Sequence, residues 1–335
     1  MFLNKILVGT AVVVLLSSMA LAAVGATFNV AKGDKEAAYN DMINNKIESI
    51  GFILSDPHEH VDHAYKGKYG TEIIDGKPNP TYDPVFKTVL DNLGFFSISN
   101  DEKLRTLLMQ APDLGAFSPF NLHIYKMANE DKTYVGHINP DTMLDIVGVK
   151  DEMVRKEFNE MFPTLDAMVD KEIGGAKELV EYDKLTAEPM MKFEFTFERP
   201  EDLDDFVDEF QEAFEEAFEG NKYIIAGYKN FKEAYDDREE DFDKFDAYFV
   251  YAICQFPFSY SVFNKGRADA GLFAPCSMYM YIEKDSNKLM VGMAKLENWI
   301  SVLGIKDATM VKDIYTIDKE IVEMMKELGA TVLRI

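Results

Sequence analysis

The sequence predicts an α+β protein made of two similar β-α-β4-α domains, each an antiparallel sheet with helices on one face. An internal repeat gives the two domains, period-two alternation marks the strands, and stripes at helical spacing mark the helices. With an offset of 156, residues 117–151 align with 273–307 without a gap. Phe117, Pro119, Tyr125, Lys132, Val135, Gly136, Gly148, Lys150 and Asp151 recur as Phe273, Pro275, Tyr281, Lys288, Val291, Gly292, Gly304, Lys306 and Asp307. Those nine identities in 35 positions exceed the about two that unrelated segments share. Phe96 to Ser99 also matches Phe258 to Ser261 at an offset of 162, which predicts a six-residue length difference in the loop that follows.

The second copy can be followed element by element. Met191 to Phe197 alternates apolar and polar residues as a half-buried strand does, and Pro200 ends it. Leu203, Phe206, Val207, Phe210, Phe214 and Phe218 then lie at helical spacing, with ten acidic residues between Glu201 and Glu219 covering the other face. Gly220 and Asn221 stop that helix. Tyr223 to Tyr228, Tyr248 to Phe256, Ser277 to Ile282 and Leu289 to Leu296 read as four further strands, the last two joined by a hairpin through Lys284 to Asn287. A final helix opens at the cap residue Asp307 and aligns Met310, Ile314, Ile317, Ile321, Met324 and Leu328 on one stripe. Each helix has a single stripe to bury, so both cover one face of the sheet.

The first copy agrees in its C-terminal half. Leu122 and Ile124 are followed by a turn at Asn129 and Glu130, a strand from Tyr134 to Ile138, and a helix from Asp151 with Val154, Phe158, Leu165 and Val169 inward. Pro163 should kink that helix. Between Thr27 and Pro80 no pattern marks an opening strand, and Gly76 to Tyr82 reads as loop.

A length of 335 residues at 47% hydrophobic and 28% charged suits two folded domains. Lys plus Arg number 35 against 59 for Asp plus Glu, and the net charge of −24 repels phosphate backbones, so nucleic acid is excluded as a partner. Two cysteines and five histidines leave no room for a disulfide scaffold, and no phosphate-cradling loop or nucleophile motif occurs. Met1 to Lys5, the apolar run Ile6 to Leu16, and the small residues ending at Ala20-Leu21-Ala22 or Val24-Gly25-Ala26 have the build of a secretory signal peptide. The chain then divides into a signal peptide at 1–26, a first domain at 27–184 and a second at 185–335. An uncleaved anchor is the alternative, because Ile6 to Ala26 is about long enough to span a bilayer. No later run is apolar enough to cross a membrane. The expected location of this acidic protein is therefore periplasmic or secreted, with no membrane span after cleavage.

Two stretches carry a family resemblance. Asn100 with Leu104 to Ala111 and Ser118-Pro-Phe-Asn-Leu-His-Ile-Tyr125, and again Asn264 with Ala274-Pro-Cys-Ser-Met-Tyr-Met-Tyr281, resemble the bacterial domain-of-unknown-function family 302. That family shows a strand ending in Asn, a short helix, a Pro-Cys-apolar strand with a Tyr, a hairpin and a long C-terminal helix. The resemblance implies a tandem duplication with a TATA-binding-protein-like β-α-β4-α fold, and it implies no activity. Phe120 stands in the first copy where Cys276 stands in the second, so that cysteine has no role common to both.

Three of the five histidines lie in Asp56-Pro-His58-Glu59-His60-Val-Asp62-His63. In an extended segment His58, His60 and Asp62 point to one side, and imidazole with carboxylate suits zinc or copper. His58, His60, His63 and Asp62 are therefore the candidate metal ligands, with Asp56 or Glu59 available to complete a shell. The bland reading is a solvated polar loop. His123 and His137 sit on the two arms of the first hairpin, but their counterparts Tyr279 and Met293 favour packing over ligation. Asp236 to Asp246 lacks the glycine and spaced glutamate of a calcium loop. Cys254 and Cys276 flank a connection between strands and are candidates for a disulfide in an oxidising compartment. No pair of carboxylates and no Ser-His arrangement stands out as catalytic.

The expected function is a secreted or periplasmic non-enzymatic binding protein without a cofactor. It would hold an unknown small molecule or protein in the groove between two pseudo-symmetric domains. The alternative is a metal-binding or metal-dependent protein that uses the His58, His60 and His63 cluster for zinc or copper.

Overall fold

The computed structural model describes residues 22–334, so most of the predicted signal peptide lies outside the described residues. The first half runs β1 (Ala23–Lys32), α1 (Glu36–Asn45), β2 (Ile53–His58), α2 (Val61–Tyr69), β3 (Ile73–Ile74), β4 (Lys77–Pro78), β5 (Leu90–Ser99), α3 (Asp101–Gln110), β6 (Phe120–Met127), β7 (Lys132–Ile138), α4 (Pro140–Val147), α5 (Glu152–Asn159), α6 (Phe162–Glu172) and β8 (Ala176–Tyr182). The second runs β9 (Met190–Thr196), α7 (Leu203–Gly220), β10 (Tyr223–Asn230), α8 (Phe231–Asp236), β11 (Phe245–Gln255), α9 (Phe256–Phe263), β12 (Cys276–Glu283), β13 (Lys288–Ala294), α10 (Glu297–Leu303), α11 (Ala308–Glu327) and β14 (Thr331–Arg334). Two six-stranded antiparallel sheets result, ordered β2-β5-β6-β7-β1-β8 and β10-β11-β12-β13-β9-β14. The orders are the same once β1 is set on β9.

The repeat identities have structural causes. An offset of 156 carries β6 onto β12 and β7 onto β13 residue for residue. Gly148 and Gly304 both end a helix in the left-handed region, with φ of 81° and 63°, where a Cβ is strained. Asp151 caps α5 by accepting from the Met153 and Val154 N–H groups, and Asp307 caps α11 through those of Thr309 and Met310. On α7 the predicted stripe faces the sheet, with Phe214 and Phe218 fully buried.

Several expectations need correction. Each half has a sixth strand, β8 or β14, after its last helix. These are edge strands whose residues are mostly exposed, so neither carries the alternation that marked the others. The opening strand of the first copy is β1, and it begins at Ala23; its Gly, Ala and Thr residues hide the pattern. The match at offset 162 joins unlike elements, because Phe96 to Ser99 is strand while Phe258 to Ser261 is helix. Ser97 pairs with Asn121 and Ala252 with Ser277, so the structural counterpart of Asn100 is Gln255. Both are N-caps, accepting from the Lys103 and Phe258 N–H groups, whereas Asn264 ends α9. Pro163 divides the predicted helix into α5 and α6 by sitting in the first turn of α6, where its missing N–H costs nothing.

The face of each sheet turned away from its helices is covered by the other copy. A 3-10 turn at Pro112–Phe117 lies on β12 and β13, and its counterpart at Ala268–Phe273 lies on β5, β6 and β7. Gly115 and Gly271 occupy the same repeat position, and a Cβ on either would collide, the first with Tyr248 and Tyr279 and the second with the His123 ring. Asn121 Nδ2 donates to the Gly271 carbonyl, and Tyr248 Oη donates to that of Pro112. At one rim, Lys229 Nζ donates to Asp101 at 2.7 Å and to Ser99 at 2.8 Å. The two copies are thus packed by mutual exchange of one turn.

Candidate ligand groove between the copies

Beyond the tightly packed centre of this interface a groove opens on the first sheet. Alternation along the strands puts Phe28 of β1, Tyr125 of β6 and Tyr134 of β7 on its floor. Glu178, Leu179 and Val180 of the edge strand β8 make one wall, and Gly266 to Asp269 of the second copy make the other. The cavity measures about 450 Å³. That is within the range of small-molecule sites.

The floor is aromatic and the rim is charged. Tyr125 and Tyr134 stack with centroids 4.5 Å apart, and Phe28 meets both edge-on at 5.6 and 6.1 Å. Tyr134 Oη donates to Glu130 at 3.0 Å. Arg267 Nε and Nη2 donate to the two Asp269 oxygens at 2.9 and 2.8 Å, and Nη2 also donates to the Leu303 carbonyl at 2.8 Å. Burial, then the bond to Glu130 and the charges of Glu130 and Glu178, push the Tyr134 phenol up to about 12. Burial and the Asp269 charge hold the Tyr125 phenol still higher. Both shifts come first from burial against the apolar floor and only then from the neighbouring carboxylates. The lining thus offers aromatic faces for stacking beside carboxylates and one guanidinium.

The histidine cluster is not in this groove, and its segment is not extended. β2 ends at His58, His60 adopts φ of 51° and α2 begins at Val61, so His58, His60 and Asp62 do not share one side of a strand. His60 Nε2 lies 2.9 Å from Glu36 Oε1, and its ring stacks on that of His63 at 4.6 Å. Asp62 is turned inward, where it accepts from the Leu93 N–H at 3.1 Å. His58 Nε2 and His60 Nδ1 are buried without a partner. Among the described residues no three His, Cys, Asp or Glu side chains are placed to hold a metal ion.

The remaining candidates are structural. Both cysteines are free thiols; they lie near each other as expected, lining one small cavity, with Cys276 opposite Ile253 in the strand register. Burial pushes the Cys254 thiol up to about 11, which leaves it unreactive. His123 is fully buried, its ring nitrogens 3.0 Å from the Gly94 carbonyl and 2.8 Å from that of Ala268, and burial lowers its pKa to about 4. His137 meets Asp166 at 2.9 Å. In the acidic stretch, Asp236 pairs with Lys232 and Asp246 with Arg199.

Sequence reasoning assigned no role to Phe28, Glu178, Arg267 or Asp269, which come from segments 240 residues apart at the extremes. Their one signal is the contrast between copies, legible only once the strand register shows which residues correspond.

No family model matches the chain, and no curated protein matches it. Among solved structures, a conserved protein of the domain-of-unknown-function family 302 from Bacillus stearothermophilus is similar to part of it at 15% identity and a TM-score of 0.33, covering 40% of this chain and 95% of that one. Among the described residues no helix is long and apolar enough to cross a membrane.

Proposed function

We propose that this chain is a tandem duplication of a family-302-like domain that works as an exported, non-enzymatic binding protein, with its ligand held in the groove between the copies. The observation that carries the reading is an open cavity of about 450 Å³ walled by both copies, in an interface that is otherwise closely packed. The duplication is supported by the equal strand orders and by the offset of 156, which holds from the 3-10 turns to the caps of α5 and α11. Export is supported by the N-terminal pattern. Cleavage after Ala22 leaves β1 whole, while cleavage after Ala26 removes residues that pair with Tyr182, Glu181 and Val180.

The test fills the groove. Val180 lines it from the same sheet face as Phe28 and is half-buried, so Val180→Trp fills the cavity. A screen of small molecules by thermal shift on the mature protein should find compounds that raise the melting temperature of the wild type and leave Val180→Trp unmoved. Compounds that stabilise both proteins equally, or none that stabilise the wild type, would overturn the reading. N-terminal sequencing of the exported protein should begin at Ala23.

A further inference from the structure

The groove has a twin, and the twin is filled. Phe28 lies opposite Gly136 in the β1-β7 register and Lys192 opposite Gly292 in the β9-β13 register. Gly136 and Gly292 are one repeat position, so Lys192 is the second copy's Phe28. Lys192 reaches across the interface and ion-pairs with Asp113, whose other oxygen accepts from Tyr279 Oη at 2.5 Å. Asp113 and Asp269 are also one repeat position. Around the second copy, then, a tethered ammonium meets a carboxylate of the opposing turn that also accepts from Tyr279. Around the first copy Phe28 brings no charge, and Asp269 takes its partner, Arg267, from its own turn.

We propose that the open groove takes a small organic cation, an ammonium carried on an apolar or aromatic body, where the twin holds the Lys192 ammonium. This rests on the reading of the groove as a binding site. The lining charges agree: Glu130, Glu178 and Asp269 stand against Arg267, three carboxylates to one guanidinium. Arg267 offers an anion little, because Nε and Nη2 are bound to Asp269 and Leu303. The rim has changed sign as well. Glu178 pairs with Phe28 and Arg334 with Lys192, so an acid in the open groove replaces a base beside the filled one. Tyr125 and Tyr134 supply the electron-rich faces on which an ammonium rests, and Phe28 and Val180 supply apolar contact for its body.

Isothermal titration calorimetry of the mature protein with 2-phenylethylamine, 2-phenylethanol and 3-phenylpropionate separates the classes at constant shape. The amine should bind, and the alcohol and the acid should bind at least about tenfold more weakly. Glu178 is exposed, so Glu178→Arg, which installs the twin's residue, keeps the fold and should weaken the amine about tenfold and the uncharged alcohol by less. An amine that fails to bind, or binds wild type and Glu178→Arg alike, overturns the proposal. If the alcohol or the acid binds best and is lost in Val180→Trp, the groove remains a binding site and only the cation class falls. An amine bound equally by wild type and Val180→Trp sits elsewhere, and both readings fall together.

Discussion

Gly115 and Gly271 show how much one hydrogen atom in place of a methyl decides. Each lets a turn of one copy lie directly on the sheet of the other, and at Gly271 the obstacle to a side chain is the His123 ring, locked by two carbonyls. Gly271→Ala should therefore cost about 1–3 kcal/mol, read as a lower denaturation midpoint, because the ring has no rotamer to retreat into. Gly220, at the end of α7 with nothing near its Cβ, is the control, and Gly220→Ala should change stability by less than about 0.5 kcal/mol. Equal midpoints for wild type and Gly271→Ala would show the interface to be loosely packed. Both glycines and Asp113 with Asp269 lie just before the gap-free aligned block, in the loop to which the offset of 162 gave a length difference, so their equivalence emerged only with the strand register. What they touch was not legible either, since a repeat shows that two positions correspond and not that each packs on the other copy.

At the scale of elements, α10 is tied to α11 by one carboxylate. Asp318 of α11 accepts from the Leu296 and Glu297 N–H groups at 2.8 and 3.0 Å, satisfying orphan donors where α10 begins. Burial raises its pKa to about 6 against those two bonds. A carboxyl whose pKa is higher folded than unfolded binds its proton more tightly in the native state. Its contribution to stability is therefore complete at low pH, below about 4, and is lost as pH rises through about 6. The loss is at most about 3 kcal/mol, from a shift of roughly two pH units. Urea denaturation between pH 4 and 7 should show wild type declining relative to Asp318→Asn across that window; parallel profiles would refute the assignment. Most elements were readable because half-buried strands and one-sided helices print their period in the sequence. Edge strands β8 and β14 print none, having no face to bury.

The whole molecule behaves as one body if the interface contributes as much as its chemistry suggests. Lys229 of the second copy and Asp101 of the first are 11% and 6% exposed, and Tyr235 Oη adds a bond to the Asp101 carbonyl at 2.8 Å. Lys229→Met leaves the buried Asp101 carboxylate with only the more distant Arg238, at 4.0 Å, as its cation, which should cost about 3 kcal/mol. The double variant Lys229→Met/Asp101→Leu removes both charges and should recover most of that loss. Thermal unfolding followed by calorimetry should show one transition for the wild type. Two transitions, or a single variant as stable as the wild type, would mean that the copies fold independently of their contact.

The sequence by itself determined that there are two similar α+β domains, where most strands and helices run, that Asp307 caps α11, and that the protein is strongly acidic. These follow from local periods, cap chemistry and composition, all of which act within a few residues of the chain. Only the tertiary structure decided that the copies exchange 3-10 turns, that the histidine segment bends into α2 instead of presenting its ligands together, that Cys254 and Cys276 are free thiols at one cavity, and that Phe28 and Lys192 correspond. Each of these depends on strand register or on contact across more than a hundred residues. Register is set by packing of whole sheet faces, and no local pattern encodes it.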